Sequence, residues 1–132
     1  MLNPFPIQFL SLFAYFLLRV FIGGILIYLG ISHLKYRQEL KDVFTLSWWP
    51  YGTFTTLMIG FGEIIIGIFI FSGAFTQYAA LATMIMSIKM IFIGQWFNHH
   101  SLPPKIFYIL LLGASLSLFI TGAGVLAFDL PI

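Results

Sequence analysis

Apolar residues run along this chain in four long blocks separated by shorter polar breaks. The blocks cover Phe9–Ser32, Thr53–Phe71, Ala74–Phe97 and Ile106–Phe128. Each is close to the roughly 20 residues that a helix needs to cross a hydrocarbon core of about 30 Å. The blocks lack the every-second-residue alternation of barrel strands, and a backbone in lipid must satisfy its own hydrogen bonds. The pattern therefore predicts an all-α integral membrane protein, a single domain over residues 1–132 that forms a bundle of four transmembrane helices.

Composition supports the same class. The chain is 61% hydrophobic and only 8% charged, which is too few charges to solvate a globular surface of this size. It has no cysteine, so disulfides and cysteine-ligated metal centres within the chain are excluded. Its net charge of +2, without a long basic run, gives no support for nucleic acid as a partner. Because Arg19 interrupts the first block, we interpret that block as a retained helix and not as a cleaved signal peptide.

The connections between the blocks differ in length. Ser72–Gly73 is so short that blocks two and three must form an antiparallel hairpin. The connection His33–Gly52 can hold structure of its own, and its apolar residues are spaced on one face of a short interfacial helix, with a solvated loop as the alternative. We expect the following side chains at the membrane interface: His33, Lys35, Trp48, Trp49, His99 and His100.

Positive charge predicts the orientation in the membrane. The first loop holds Lys35, Arg37 and Lys41, and the third loop leads into Lys105, whereas the opposite side has no Lys or Arg outside the spans. Because cytoplasmic loops are enriched in Lys and Arg, we expect loops one and three in the cytoplasm and both termini outside. A bacterial cytoplasmic membrane is the expected location.

Three ionisable residues lie inside the predicted spans, namely Arg19, Glu63 and Lys89. Each costs about 2.5–3.5 kcal/mol to insert, so they are expected to face the bundle interior and to have partners. Counted from the cytoplasmic helix ends, Glu63 lies about 15 Å deep, Lys89 about 13 Å and Arg19 about 21 Å. Ser115 and Ser117 of the fourth span fall at about 15 to 18 Å, so the sequence predicts a polar centre near the midplane.

Two interpretations of this centre remain open. Glycines near Arg19 and on both sides of Glu63 allow close helix packing, as does the stripe Gly113, Ser117 and Thr121, so the charges could simply fix the helix register as an ion-pair staple. Alternatively, two cations and one carboxylate leave one positive charge, which would attract an anion or a carbonyl-bearing headgroup. On either interpretation Glu63 is expected to pair with Arg19, Lys89 or both, and on the second Lys89 marks the ligand site.

The histidines suggest a further option. His33, His99 and His100 end spans on the same predicted face, where a metal or haem ligand set is conceivable. Their spacing does not match a known ligand motif, so interfacial hydrogen bonding is the preferred interpretation and no metal is expected.

Several segments together resemble the DoxX family of small four-span membrane proteins. Span one reads LLRVFIGGILIYLGISHLK, similar to the family's Arg–Gly–Gly–Lys pattern at Arg19, Gly24, Gly30 and Lys35. Span two matches a Glu–Gly–Gly pattern at Glu63, Gly67 and Gly73, and the ending GAGVLAFD resembles the family's Gly-rich close before an acid, here Asp129. Lys89 and the pair His99–His100 have no counterpart in that pattern.

The resemblance implies a redox setting, because the family is related to a subunit of quinone-linked thiosulfate oxidation. The leading expectation is a membrane subunit of a redox system that holds a quinone-like headgroup or small anion at Arg19, Glu63 and Lys89. The chain shows no flavin or nicotinamide fingerprint, so electrons would come from a bound quinone or a partner. A non-enzymatic assembly or scaffold protein, acting on a membrane-protein partner or as a homo-oligomer, is the alternative, and transport is a weaker third.

Overall fold

Helices make up nearly all of the residues that the structure describes. The structure, a computed structural model, describes residues 7–41, 52–93 and 102–122. It contains α1 (Ile7–Lys35), α2 (Arg37–Leu40), α3 (Gly52–Ser72), α4 (Thr76–Ile93) and α5 (Lys105–Thr121). No strand occurs within those three ranges. The all-α prediction is confirmed, while the predicted ends of the third and fourth spans, Phe97 and Phe128, fall outside the described residues.

A tight turn joins α3 to α4. Gly73 has a positive φ of 75°, and its N–H donates to Phe69 O at 3.0 Å, while the Ala74 N–H donates to the same carbonyl at 3.1 Å. A glycine in this conformation, with the next residue bonding back across five positions, is the usual way to cap a helix end and reverse the chain. The predicted antiparallel hairpin is confirmed, and α4 runs back alongside α3.

The four long helices pack as a ring. The contacts run from α1 to α3, from α3 to α4, from α4 to α5 and from α5 back to α1, and they are most extensive in the α1–α3 and α4–α5 pairs. The short α2 lies against α3 through Leu40, which is fully buried. A short helix in the first connection is therefore confirmed, and its place at a membrane interface stays a prediction. Trp48 and Trp49 lie outside the described residues.

Two helices are long and apolar enough to cross a membrane, namely Leu10–Lys35 within α1 and Gly52–Ser72, which is α3. Helix α5 is apolar as well, but its described length is 17 residues. The crossing of the membrane by all four long helices stays a prediction.

Polarity is inverted relative to a water-soluble fold. Large apolar side chains cover the outside, for example Phe21 at 67% exposed and Tyr78 at 75%. The inside holds buried polar and charged side chains: Arg19, His33, Thr56, Glu63, Thr76, Thr83, Ser87 and Ser115. A surface of this kind is stable against lipid, and polar groups then cluster between the helices, where they find partners.

Candidate functional site

Two pairs of glycines set the register between α1 and α3. A Cβ added to Gly23 would lie 2.8 Å from Gly67 O, and one added to Gly30 would lie 2.6 Å from Gly60 O. Both distances are shorter than real Cβ contacts, so the two backbones touch at these points. Because the glycines are seven residues apart on both helices, the antiparallel faces match over two turns. The predicted close packing of these faces is confirmed.

Glu63 lies between those two contacts and is 2% exposed. Its Oε2 is 2.5 Å from Nδ1 of His33, which is fully buried on α1. With the carboxyl ionised, the imidazole N–H donates this hydrogen bond, and a charge on both groups makes it an ion pair. The partner of Glu63 in the bundle is therefore His33, where Arg19 or Lys89 was expected. His33 itself is buried between the helices, and its predicted depth at the membrane interface stays a prediction.

Sequence periodicity contained a signal for His33. Arg19, Leu26 and His33 follow each other at intervals of seven residues, and all three are at most 1% exposed. Residues seven apart lie on nearly the same face of a helix. His33 also follows Gly30 by one turn, so it continues the face that packs against α3.

Arg19 is buried at 1% exposed but lies in a different layer from Glu63. The glycine contacts place Arg19 beside residue 71, eight positions along α3 from Glu63, which is about 12 Å along the helix axis. Its guanidinium lies 5.4 Å from the ring centre of Phe16, one turn further from Glu63. The predicted single layer of Arg19 and Glu63 is therefore not formed.

Lys89 lies on the exposed face of α4. It was expected inside the bundle, but the residues of α4 that face the interior there are Thr83, Ser87 and Met90. Thr83 can take the interior because its hydroxyl bonds within its own helix: Thr83 Oγ1 donates to Ala79 O at 2.8 Å. The expected place of Lys89 is wrong, and its suggested role in ligand binding stays a prediction.

The serines of α5 differ from each other. Ser115 is fully buried, as expected, and its Oγ donates to Leu112 O at 3.0 Å. Ser117 is half-buried, and its carbonyl accepts from Thr121 Oγ1 at 2.7 Å. A Cβ on Gly113 would meet nothing within 4 Å, so the stripe formed with Ser117 and Thr121 is not a close-packed face within the bundle.

Tyr108 and Ser87 were not recognised from the sequence. Both are buried, at 3% and 1% exposed, and neither hydroxyl makes a hydrogen bond within residues 7–41, 52–93 and 102–122. The spacing of seven residues between Tyr108 and the expected Ser115 was the available signal.

Four buried polar side chains inside the bundle are what we call the interior polar centre: His33 and Glu63, which bond to each other, and Ser87 and Tyr108, whose hydroxyls make no hydrogen bond within the described residues. One comes from each long helix, so the centre exists only when the ring of helices is assembled. It offers one proton-sharing pair and two buried hydroxyls, which can donate to a carbonyl oxygen or accept from a polar ligand. The arrangement suits hydrogen bonding to a small polar headgroup inside an apolar protein.

Lys35 is the one remaining predicted site residue that the described ranges include. Lys35 is exposed at the end of α1, with its ammonium 5.4 Å from the ring centre of Tyr36. His99 and His100 are outside the described residues. Within the described part of the chain, no three His, Asp or Glu residues are grouped to hold a metal ion.

Comparison with known proteins places these residues in a family context. The DoxX family model matches residues 14–96, a stretch that includes Arg19, His33, Glu63 and Lys89. The match confirms the resemblance over α1 to α4. The matched range ends before α5 and the Gly-rich ending. No curated protein and no solved structure matches the chain.

Proposed function

Because the chain belongs to the DoxX family of membrane proteins, we propose that it is a membrane subunit of a redox system and binds a quinone-like headgroup at the interior polar centre. The observation that carries this proposal is a pair of buried hydroxyls, on Tyr108 and Ser87, that make no hydrogen bond to the described residues. Burying such groups without a partner costs about 1–3 kcal/mol each, and a ligand carbonyl would recover that cost.

The proposal includes the placement of the chain in the membrane. All four long helices cross the bilayer, with loops one and three on the cytoplasmic side and both termini outside. Support comes from the span-length helices α1 and α3, from the hairpin that carries α4 back along α3, and from the apolar character of α5. The predicted asymmetry of Lys and Arg gives the direction.

A neutral carbonyl fits the interior polar centre better than a small anion does. The expectation of an anion depended on two cations beside one carboxylate. Lys89 is instead on the outer face, and Arg19 lies in another layer against Phe16. The remaining pair, His33 and Glu63, has no excess positive charge, so hydrogen bonding is the interaction that it offers.

Reduction of a quinone to a quinol consumes two electrons and two protons. The chain has no cysteine and no nucleotide-binding fingerprint, so we assign the electrons to a separate subunit that carries a redox cofactor. This chain holds the headgroup. The hydrogen bond between His33 and Glu63 keeps a proton beside that headgroup. In this proposal it is not a complete enzyme alone.

The test is binding of decylubiquinone to the protein in lipid nanodiscs, measured by titration calorimetry. Tyr108→Phe removes one hydroxyl and should weaken binding about five- to tenfold, the usual effect of one lost hydrogen bond. Tyr78→Phe is the matched control, because this tyrosine is 75% exposed on the same bundle. The control should bind like the wild type.

Two results would contradict the proposal while leaving the family assignment intact. One is the absence of binding to the wild-type protein, and the other is equal binding by the Tyr108→Phe and Tyr78→Phe variants. Competition by sulfate would instead favour an anion as the ligand.

A scaffold or assembly role is the second candidate. It is favoured by one observation, the exposed position of Lys89 on a helix that packs beside a membrane-spanning one. A charge at this lipid-facing position is costly, and contact with another protein would lower that cost.

A further inference from the structure

Lys89 is set in an otherwise apolar stripe on the outside of α4. The neighbours at the helical spacing are Ile85 at 61% exposed, Ile88 at 42% and Phe92 at 63%. Lys89 is exposed and forms no ion pair with any residue in the described ranges. We call these four residues the α4 outer face.

Lys89 lies well inside the predicted hydrocarbon layer. It follows Thr76, the first residue of α4, by 13 positions, or about 20 Å, whereas the adjacent α3 spans about 31 Å. The Lys89 Cα is therefore about 10 Å from the nearer end of α3. Side chains on a helix point towards its N-terminus, which for Lys89 is the direction of the membrane centre. To reach the cytoplasmic headgroups, the Lys89 side chain would have to extend in the opposite direction.

Another copy of this chain does not offer a matching acid on its described outer surface. Glu63 is buried against His33, and Glu39 is on α2, outside the long helices. The sequence places the two other acids, Asp42 and Asp129, in a loop and near the C-terminus. A carboxylate at the depth of Lys89 must then come from a different protein.

We propose that the α4 outer face docks a transmembrane helix of another membrane protein, and that this helix carries an Asp or Glu opposite Lys89. An ammonium in hydrocarbon gains most from a charged acceptor, and the flanking Ile85, Ile88 and Phe92 provide the apolar contact around it. The inference rests on the proposed crossing of the bilayer by α4, and it does not depend on the quinone proposal.

The experiment uses a defined probe. A polyleucine transmembrane peptide with one Glu placed about 10 Å below its cytoplasmic end is labelled with an acceptor dye. A second peptide carries Gln at that position. Energy transfer from the donor-labelled full chain is measured in phosphatidylcholine vesicles. The Glu peptide should associate about fivefold more strongly than the Gln peptide, and Lys89→Met should abolish this difference. Lys105→Met, which removes a lysine from the start of α5, should preserve it.

The outcomes separate the alternatives. Equal association of both peptides, or retention of the difference in Lys89→Met, would overturn the proposal. So would loss of the difference in vesicles with phosphatidylglycerol, which would show that lipid phosphate is the partner, or Lys89-dependent energy transfer between two copies of the chain. The membrane placement is checked separately, since Lys89→Cys in this cysteine-free chain should resist a water-soluble maleimide. Rapid labelling would refute the crossing of α4 itself.

Discussion

His33 Nδ1 lies 2.5 Å from Glu63 Oε2 and joins α1 to α3 in the interior of the bundle. Removing one member leaves the other buried without this partner, which costs about 3–5 kcal/mol. We expect His33→Leu and Glu63→Leu each to lower the free energy of unfolding by that amount. The double variant should lose less than the sum by at least about 1 kcal/mol, because its two apolar side chains need no partner. Unfolding by dodecyl sulfate in mixed micelles, followed by circular dichroism, measures all three.

Glu39→Leu is the control for this cycle, since Glu39 is exposed on α2. It should change stability by less than about 0.5 kcal/mol. Additive effects of the two core substitutions would mean that the pair is not coupled and that the contact contributes nothing of its own.

Neighbouring glycines on α1 provide a second prediction. A Cβ on Gly23 would press on the backbone of Gly67 and Phe71, whereas a Cβ on Gly24 would meet nothing within 4 Å. Gly23→Ala should therefore destabilise the bundle by about 1–3 kcal/mol through overpacking. Gly24→Ala should be neutral or stabilise slightly, because alanine favours helix. Thermal unfolding in detergent, followed by size-exclusion chromatography, compares the two variants.

The same comparison is available on the opposite helix. Gly67→Ala should behave like Gly23→Ala, because its Cβ would lie 2.9 Å from Gly23 O, and Gly62→Ala should behave like Gly24→Ala. If all four substitutions were equally tolerated, the close contact between α1 and α3 would be wrong.

Periodicity and local chemistry were sufficient for part of this architecture. The hairpin followed from the two-residue break at Ser72–Gly73, and the close face of α3 followed from Gly60 and Gly67 on either side of Glu63. Seven-residue spacing depends on helix geometry alone, so it can be detected without knowing which helix lies opposite.

The layers of the charges could not be obtained in that way. Depth was counted from helix ends, but the glycine contacts determine the actual register, and they move Arg19 to the level of the α3–α4 hairpin. The direction of Lys89 depends on the rotation of α4, where Thr83 and Ser87 compete with it for the interior. All three are polar, and the smaller ones enter because they bond to their own helix or fit closer packing.

Orientation in the membrane is testable because the chain has no cysteine. Glu39→Cys reports on loop one and Ser72→Cys reports on the hairpin. In intact cells an impermeant maleimide should label Ser72→Cys, and Glu39→Cys should react only after permeabilisation. The reverse pattern would invert the orientation, while labelling of both from one side would show that α3 does not cross.

The last prediction concerns two buried serines with different surroundings. Ser87 Oγ makes no hydrogen bond within the described residues, whereas Ser115 Oγ donates to Leu112 O. Without ligand, Ser87→Ala should therefore leave the midpoint of thermal unfolding unchanged or raise it, because no bond is lost and a buried hydroxyl is removed. Ser115→Ala should lower stability by about 0.5–1 kcal/mol. Decylubiquinone should raise the midpoint of wild type and of Ser115→Ala by the same amount. It should raise the midpoint of Ser87→Ala by less. A loss of more than about 1 kcal/mol for ligand-free Ser87→Ala would show that its hydroxyl already has a partner in the protein, and the interior polar centre would lose one of its two carbonyl-binding groups.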